Sequence, residues 1–403
     1  MNVLSVIASM DPASGGTSEG IRNSIPELER LGMTNEVVCL DDPNASFLTN
    51  EKLTITALGP SKGPWCFSKK LTPWLESNLH RFDAVIIQGL WLYPSFATSK
   101  AVKNFKRNAG LNGLKAPRLF IMPHGMLDPY FQKAESRKLK EIRNWVYWKL
   151  IEAKVIESAD KLFFTCQTEL LLARETFKPY KPNMEVVVGY GIKDPIKHLP
   201  VYEELWFQAY PELKTSPYLL FLSRIHEKKG VDLLIEAYNS LLKQNSKNAK
   251  QDLPKLVIAG PGLNTPFGQK ILTMVAASKE LKSFIIFSGM LTGATKWQAY
   301  LGCEAFILPS HQENFGIAVV EALACSKPVL ISNQVNIWNE IQAGGAGIVE
   351  ANTKKGTEKL LYNWLKMTDN ARSEMCVKAR QCFDENFTIS AAARNMFNAI
   401  SSN

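Results

Sequence analysis

Two glutamates, Glu313 and Glu321, stand eight positions apart in the segment "HQENFGIAVVEALACSKPVLIS" (residues 311–332). If residues 313–321 formed one continuous helix, the two would lie about 12 Å apart along its axis. That separation is too large for the carboxylate pair of a glycoside hydrolase, which spans about 5 to 9.5 Å. The spacing therefore argues against two carboxylates that flank one glycosidic bond.

A loop over residues 309–316 gives the two glutamates a different arrangement. Glu313 then lies at the end of a strand and Glu321 one turn into the following helix, whose first amides, around residues 314–317, are available as donors. Carboxylates accept hydrogen bonds from vicinal hydroxyls, so the segment is typical of a site that contacts a polyol at two places. Exposed loop glutamates are mostly solvated, and the pair is informative only within the strand-loop-helix frame around it.

A second candidate site follows the β-rich run "YLLFLS" (residues 218–223). The next residues, "RIHEKKG", place Arg224 and Lys229 five positions apart, beside a glycine that opens the next helix. The forked guanidinium of arginine and the compact charge of lysine, converging there, suit a diphosphate. A basic strand-to-helix loop that binds nothing is the alternative interpretation.

Gly15 and Gly16, in "SGGTSEG" (residues 14–20), lie between the first predicted strand and a helix, where backbone can approach an anionic ligand closely. The segment does not spell the dinucleotide pattern G-x-G-x-x-G, and a purely structural turn remains open. The sequence has no Asp-x-Asp, and its seven cysteines lack metal-ligand spacing. We therefore expect reduced thiols, no metal and no cofactor.

The elements that would position these residues alternate between short β-rich runs and helical stretches, which predicts an α/β protein with mainly parallel sheets. A chain of 403 residues with 46% hydrophobic content exceeds one ordinary core and indicates two domains. We predict two Rossmann-like doubly wound domains facing across a cleft, with ligands at the carboxyl ends of their strands. The predicted boundaries are 1–194 for the N-terminal domain, 195–214 for a proline-rich linker, 215–385 for the C-terminal domain and 386–403 for a C-terminal helix that crosses back.

The net charge of +9 is concentrated in the N-terminal half, where residues 100–118 carry six basic side chains and residues 133–154 seven more. Apolar residues recur at helical spacing in the second segment, at Leu139, Ile142, Val146 and Leu150. The pattern predicts an amphipathic basic helix that either packs on its own domain or lies on an anionic membrane surface. Nucleic acid is a weaker alternative without a recognised motif, and we expect no nucleic-acid partner.

No stretch approaches 18 uninterrupted apolar residues, and the short apolar run at the N-terminus has no basic region before it. These features predict a cytoplasmic protein without a membrane span, with peripheral association at the inner face of the cytoplasmic membrane as an extension of that prediction.

The order of these motifs resembles the retaining glycosyltransferases of family four, which have the GT-B fold. In the C-terminal half the likeness lies in "RIHEKKG", "VIAGPG", "SGM" and "PSHQENFGIAVVEALACSKPV", and in the N-terminal half in "SGG", "PHGMLDP" and "VVVGYGI". "GLWLYPS" together with "PHGMLDPYF" is similar to members that build bacterial exopolysaccharide and the O-antigen of lipopolysaccharide. Ser326 and Tyr190 depart from the family pattern, where glycine and asparagine are usual.

The resemblance implies a donor site for a nucleotide-diphosphate sugar, UDP- or GDP-linked. Arg224 and Lys229 would hold the diphosphate, and the backbone of Gly15 and Gly16 would close over the phosphate. The backbone of Met290 would contact the base.

The same resemblance implies the contacts to the two sugars of the donor. Glu321 would accept hydrogen bonds from the ribose hydroxyls, Glu313 would accept them from the transferred sugar, and His124 would lie beside that sugar. The backbone amides expected to contribute belong to Asn314, Phe315, Gly316 and Ile317. The residues expected to take part in catalysis are His124, Arg224, Lys229 and Glu313.

These roles predict a retaining, metal-independent hexosyltransferase that moves a sugar to a hydroxyl of a saccharide or lipid-linked saccharide in cell-surface polysaccharide synthesis. A front-face mechanism is expected, because no carboxylate is placed as a nucleophile on the far face of the sugar. Acceptor contacts are expected from the N-terminal domain, at Trp91, Tyr93, Asp128 and Tyr130. A nucleotide-sugar epimerase on the same fold and a non-catalytic protein that binds carbohydrate or anionic lipid remain open alternatives.

Overall fold

The computed structural model describes residues 1–112, 115–130, 138–195, 200–248 and 253–402. Within these ranges the strands are β1 (Asn2–Ile7), β2 (Thr34–Cys39), β3 (Ile55–Ala57), β4 (Ala84–Gln88), β5 (Arg118–Met122), β6 (Lys161–Phe164), β7 (Glu185–Val187), β8 (Tyr218–Leu222), β9 (Lys255–Ala259), β10 (Ile285–Gly289), β11 (Ala305–Leu308), β12 (Val329–Ser332) and β13 (Gly347–Glu350). The helices are α1 (Gly16–Arg30), α2 (Leu71–Asn78), α3 (Tyr93–Asn112), α4 (Lys138–Tyr147), a π-helical segment (Trp148–Glu152), α5 (Ala153–Ser158), α6 (Gln167–Thr176), α7 (Pro200–Ala209), α8 (Val231–Asn248), α9 (Pro266–Ala276), α10 (Lys279–Phe284), α11 (Gly293–Gly302), α12 (Ile317–Ala324), α13 (Trp338–Ala343), α14 (Lys354–Lys366), α15 (Asp369–Asn386) and α16 (Ile389–Ser401).

The chain divides into two compact units. The first contains residues 1–191 and 389–403, and the second contains residues 192–388. The first unit holds a seven-stranded parallel sheet in the order β3-β2-β1-β4-β5-β6-β7, and the second holds a six-stranded parallel sheet in the order β10-β9-β8-β11-β12-β13. The predicted α/β class with two doubly wound sheets is confirmed.

Each sheet reverses its strand order once, and that point defines where a ligand can bind. In the first unit the reversal lies between β1 and β4, which pair in parallel from Val3↔Ala84 to Ile7↔Gln88. In the second unit it lies between β8 and β11, which pair at Ala305↔Leu219 and Phe306↔Leu220. Helices depart to opposite faces at such a switch point, so a crevice opens beyond the carboxyl ends of these two strands.

Burial explains why these runs form central strands. β4, β6, β8 and β11 have nearly every residue buried, as expected of parallel strands covered by helices on both faces. Their sequences, such as "KLFF" and "AFIL", are therefore continuous apolar runs rather than alternating ones.

The segment predicted as a linker contains regular structure. Residues 200–209 form α7, which the division of the chain assigns to the second unit. Trp206 on this helix is only 1% exposed, and its ring lies 6.2 Å from that of Tyr218 in β8. Because this tryptophan is buried against β8, most of the predicted linker is part of the second unit. The boundary between the two units lies at Gly191–Ile192.

The C-terminal helix α16 belongs to the first unit. Lys161 at the start of β6 donates to the carbonyl oxygens of Ala399 at 3.0 Å and Ser402 at 2.8 Å, and Arg118 also donates to Ser402 at 2.7 Å. These cations lie at the C-terminal end of a helix, where they satisfy carbonyls that lack intrahelical partners.

The basic helix is present, and of the two predicted positions for its apolar stripe, packing on its own domain is not observed in the described part of the helix. Lys133 to Arg137 lie outside the described residues. Ile142, Val146 and Leu150 are exposed, and Trp148 is fully buried instead. The Trp148 ring stacks on Phe177 at 4.7 Å, so the larger aromatic side chain determines which side of the helix faces the core. Among the described residues, no helix combines the length and the hydropathy required to cross a bilayer.

Candidate functional site

The loops that follow β8 and β11 bring two predicted site residues into contact. Lys229 and Glu313 form an ion pair, with side chains 9% and 21% exposed. Gly230 permits this approach: its φ is +67°, and a Cβ placed there would lie 2.1 Å from the carbonyl oxygen of Pro309. The amide of His311 completes the junction by donating to the Lys228 carbonyl at 2.8 Å. The two loops therefore form one connected surface at the switch point of the second sheet.

The backbone of Glu313 is held by the segment after β12. Its N–H donates to the Gln334 carbonyl at 2.9 Å, and its own carbonyl accepts the Asn336 N–H at 2.9 Å. Both backbone groups of Glu313 are thus used, which fixes the position from which the carboxylate projects.

The helix that follows, α12, begins beside this carboxylate. Gly316 caps its N-terminus with a φ of +75° and no side-chain cap. Within the described part of the chain, the amides of Gly316 and Ile317 make no hydrogen bond. Unpaired N–H groups at a helix N-terminus attract anionic or hydroxyl ligands.

Glu321 lies one turn into α12, as predicted, and is 9% exposed. Its Oε1 pairs with Lys296 Nζ at 2.6 Å, and its Oε2 accepts the Tyr300 hydroxyl at 3.1 Å. Burial, and then the nearby Glu321 charge, raises the pKa of Tyr300 well above its usual value, so this hydroxyl remains a donor. Sequence reasoning missed Lys296 and Tyr300, because "TKWQAYLG" carries no motif and the contact spans 25 positions for the lysine.

Two predicted donor-site residues with long side chains, Arg224 and Met290, are exposed. Arg224 follows β8 and makes no hydrogen bond or ion pair with any residue the structure describes. Met290 follows β10 and is 70% exposed. Their side chains extend from strand ends of the same sheet that carries the Lys229–Glu313 pair.

In the first unit the glycine turn lies at the carboxyl end of β1, as predicted. Gly15 has a φ of +106°, which L side chains rarely adopt, and Gly16 starts α1. Tyr190 donates its hydroxyl hydrogen to the Gly16 carbonyl at 2.5 Å, and a Cβ on Gly20 would lie 2.1 Å from that hydroxyl oxygen. The residue that departs from the family pattern therefore contacts the turn directly.

His124 lies at the carboxyl end of β5 with a φ of +52°. One ring nitrogen, Nε2, is 2.8 Å from Gln88 Oε1 at the end of β4. The residue is half-buried, and its imidazole lies among protein atoms. This burial disfavours the charged form and lowers the pKa of His124 to about 4. The ring is therefore neutral near pH 7, and with Gln88 as an acceptor its Nε2 carries the hydrogen.

A buried carboxylate fixes the turn that carries this histidine. Glu169 Oε1 accepts the Gly125 N–H at 2.5 Å, and Oε2 accepts the Thr165 N–H at 2.7 Å and hydroxyl at 2.6 Å. The side chain is 3% exposed. Sequence analysis gave Glu169 no role, because the residue it supports lies 44 positions away.

The four predicted acceptor residues are placed in two groups. Trp91 and Tyr93 lie beyond β4, where the Trp91 indole donates to the Met126 carbonyl at 3.1 Å and the Tyr93 hydroxyl pairs with Thr72 at 2.9 Å. Asp128 and Tyr130 lie beyond β5, where Asp128 is 6% exposed and its Oδ1 accepts the Tyr130 amide. Their role towards an acceptor stays a prediction.

Among the residues that the structure describes, no cluster of three His, Cys, Asp or Glu side chains could hold a metal ion. The cysteines are all free thiols.

Two parallel sheets with these strand orders define the GT-B fold class, and solved structures of that class match the whole chain. The crystal structure of Anabaena Alr3699/HepE in complex with UDP and glucose has a TM-score of 0.72 at 15% identity and covers 100% of both chains. The structure of WaaG, a glycosyltransferase involved in lipopolysaccharide biosynthesis, has a TM-score of 0.64 at 16% identity, also over 100% of both chains. At these identities the likeness concerns the fold alone.

Residues 203–381 match the model of the family described as glycosyl transferases group 1. The D-inositol 3-phosphate glycosyltransferase of Kineococcus radiotolerans is 28% identical over 213 residues, which is 52% of this chain and 47% of that protein. The chain therefore matches about half the length of this curated relative. The predicted family resemblance and the GT-B fold are confirmed.

Proposed function

We propose that the protein is a retaining glycosyltransferase that moves a sugar from a nucleotide-diphosphate donor to a hydroxyl of a saccharide or lipid-linked saccharide. The observation that carries the proposal is the Lys229–Glu313 pair beside the unpaired amides of Gly316 and Ile317, at the switch point of the second sheet. A cation, a carboxylate and a helix N-terminus at that point suit a diphosphate joined to a polyol.

The proposed roles follow from charge and position. Lys229 and the exposed Arg224 stabilise the negative charge that develops on the diphosphate as it leaves. Glu313 accepts hydrogen bonds from the transferred sugar. Glu321, held by Lys296 and Tyr300, accepts hydrogen bonds from the ribose hydroxyls.

The proposed chemistry is a front-face displacement without a metal. The bond from the anomeric carbon to the diphosphate oxygen breaks, and the acceptor oxygen bonds to that carbon on the same face. The acceptor proton passes to an oxygen of the leaving diphosphate. Two protein cations supply the charge stabilisation that a metal provides in other enzymes, so transfer should continue after chelation with EDTA. Loss of transfer on chelation, restored by Mg²⁺, would contradict the metal-independent scheme.

The likeness to a crystal structure in complex with UDP and glucose supports a UDP-linked donor, and the likeness to a glycosyltransferase involved in lipopolysaccharide biosynthesis supports a role in cell-surface polysaccharide synthesis. A GDP-linked donor is the second candidate. The basic first unit supports peripheral association with an anionic membrane, where a lipid-linked acceptor would be found.

Thermal unfolding in the presence of UDP-, GDP-, ADP- and dTDP-sugars tests the donor site. A ligand at 100 times its Kd stabilises the folded protein by about 2.7 kcal/mol. We expect one nucleotide class to raise the Tm, and we expect Glu321→Ala and Arg224→Ala to abolish that rise. Glu374→Ala is the matched control, because Glu374 is an exposed glutamate on α15 that pairs only with Lys378 in the described chain.

Product analysis then separates the alternatives. A transferase releases nucleoside diphosphate in proportion to glycosylated acceptor, whereas an epimerase converts the sugar with no release. Absence of any shift with all four nucleotide classes would overturn the donor site itself and leave only a binding function.

A further inference from the structure

One face of helix α4 and the π-helical segment after it carries large apolar side chains that the fold leaves uncovered. Ile142 and Leu150 are each 63% exposed, Trp145 is 48% exposed and Val146 is 43% exposed. Spacings of three, four and eight residues place them on the same side of a helix. Four large exposed apolar side chains on one side of a helix are typical of an interaction site.

The opposite face shows that the helix is firmly docked. Trp148 is fully buried, its ring stacks on Phe177 at 4.7 Å, and its indole N–H donates to the Pro179 carbonyl at 2.9 Å. A rotation that buried Ile142 and Leu150 would expose this tryptophan. The uncovered face is therefore part of the folded unit.

One aromatic residue from the loop after β3 extends the same surface. Trp65 stacks on Tyr147 at 4.7 Å with an interplanar angle of 9°, and it is 38% exposed. We call the exposed set Trp65, Ile142, Trp145, Val146 and Leu150 the apolar surface.

Positive charge lies among these side chains. The Arg143 guanidinium is 5.7 Å from the Trp65 ring, and the Lys149 ammonium is 3.9 Å from the Trp145 ring. The only acidic residue between positions 142 and 156 is Glu152, which is fully buried. Cations with apolar stems that emerge beside tryptophan rings can remain in the headgroup layer of a membrane while the rings and aliphatic chains enter it.

We propose that the apolar surface docks the protein on an anionic lipid bilayer. A symmetric dimer through the same face is disfavoured, because a two-fold axis would bring Arg143 and Lys149 against their own copies without acidic partners. An anionic bilayer satisfies both the apolar side chains and the cations. The inference rests on the proposed function in so far as a lipid-linked acceptor gives the docking a purpose.

Sedimentation of the full chain with vesicles tests the inference through two double variants. Trp145→Gln/Leu150→Gln removes apolar area with helix-compatible residues, and Arg143→Gln/Lys149→Gln removes charge. We expect the intact protein to sediment with phosphatidylcholine vesicles containing phosphatidylglycerol, and the apolar variant to bind about tenfold more weakly. The charge variant should bind anionic vesicles no better than neutral ones, and binding by the intact protein should weaken as salt rises.

Val377→Gln is the matched control, because Val377 is 59% exposed on α15 in the second unit. Equal vesicle binding by the control and both double variants would overturn the proposal, as would a failure of the intact protein to bind any vesicle. A concentration-dependent dimer that the apolar variant abolishes, without vesicle binding, would assign the surface to a second copy instead.

The donor-site measurement remains separate. We expect the apolar variant to retain its unfolding temperature and its Tm shift with nucleotide-sugar, since neither residue belongs to the donor loops. Vesicle binding without any nucleotide shift would retain the docking surface while rejecting the transferase, and the reverse result would reject only the docking surface.

Discussion

The Glu152 carboxylate accepts the backbone N–H of Trp91 at 2.8 Å, across 61 positions of sequence. The same oxygen accepts the Ser95 hydroxyl at 2.9 Å, while the other carboxylate oxygen is buried without a hydrogen bond in the described structure. Trp91 has a φ of +71°, a conformation that a bulky residue adopts only when its surroundings enforce it. One buried acid at the end of a π-helical segment thus holds the loop that follows β4.

This arrangement predicts a pH dependence of stability. Burial raises the pKa of Glu152 from 4.5 to about 7. The folded protein binds this proton more tightly than the unfolded chain, so the stability is fully present below about pH 4.5 and is lost as pH rises to 7. The loss amounts to roughly 3 kcal/mol. We expect Glu152→Gln, which cannot ionise, to abolish this part of the dependence.

Denaturant unfolding of both proteins between pH 5 and pH 8 measures the effect. The free energy of unfolding of the intact protein should fall relative to that of Glu152→Gln as pH rises towards 7. Glu157→Gln, an exposed residue on α5, is the control and should follow the intact protein. A constant difference between the intact protein and Glu152→Gln over this range would contradict the prediction.

A second buried carboxylate, that of Glu169, holds the turn that carries His124. In Glu169→Gln one carboxylate oxygen becomes an amide nitrogen, which would face either the Gly125 N–H or the two donors of Thr165. A buried donor left without an acceptor costs about 1 to 3 kcal/mol. We expect lower stability and, because the turn carrying His124 shifts, a fall in sugar transfer that exceeds any fall in nucleotide binding.

Thr165→Val separates the loss of stability from the loss of sugar transfer. It removes the hydroxyl bond to Glu169 but leaves the bond to the Gly125 amide. It should lower the Tm and leave kcat unchanged. Equal losses of kcat in Thr165→Val and Glu169→Gln, at equal stability, would show that Glu169 has no positioning role.

Much of the fold followed from the sequence because parallel strands buried on both faces are continuous apolar runs. The same reasoning placed Lys229 and Glu313 at strand ends, and the reversal between β8 and β11 explains why those two ends meet. The contacts of Glu152 and Glu169 could not be predicted, because each joins residues more than 40 positions apart with no local pattern.

Hydrophobic periodicity identified the apolar stripe at Ile142, Val146 and Leu150, but it could not decide between packing on the domain and contact with a membrane surface. Stacking of Trp148 on Phe177, together with the indole hydrogen bond to Pro179, fixes the opposite face of the helix against the core. A tertiary aromatic contact therefore determines the orientation of α4, and it leaves the predicted stripe exposed.

The departure from the family pattern at Tyr190 yields a third prediction. Tyr190→Phe removes the hydrogen bond to the Gly16 carbonyl but keeps the ring against Gly20. A single hydrogen bond contributes about 1 kcal/mol, which corresponds to about fivefold in an equilibrium constant. We expect donor affinity to weaken by about that factor, because the glycine turn loses its fixed position.

Tyr180→Phe is the matched substitution. It removes the hydroxyl bond to Glu185 at 2.8 Å in the same unit, without touching the glycine turn. Isothermal titration with the nucleotide-sugar should show weaker binding only for Tyr190→Phe, although both variants lose stability. Weaker binding in both, or in neither, would remove Tyr190 from the donor site.

The Lys229–Glu313 pair gives the prediction that tests the proposed roles most directly. Lys229 is proposed to bind the diphosphate and Glu313 the sugar, so their neutral variants should differ in which ligands they lose. Lys229→Met should weaken binding of both the free nucleoside diphosphate and the nucleotide-sugar. Glu313→Gln should weaken only the nucleotide-sugar, since the free diphosphate makes no contact with that carboxylate.

The unfolding temperatures of the same two variants give an independent test of the Lys229–Glu313 pair. Lys229→Met leaves a carboxylate that is 21% exposed without its cation, and Glu313→Gln leaves an ammonium that is 9% exposed without its anion. Removing one partner of a buried ion pair destabilises the protein, and the loss is larger when the charge left behind is less exposed. Glu313→Gln leaves the less exposed charge, that of Lys229, so it should have the lower Tm without ligand. If Glu313→Gln is less stable than the intact protein yet binds the free nucleoside diphosphate equally well, then Lys229 and Glu313 have separate roles in ligand binding. Loss of free diphosphate binding in Glu313→Gln as well would show that the pair acts as one unit and that the carboxylate has no separate contact with the sugar.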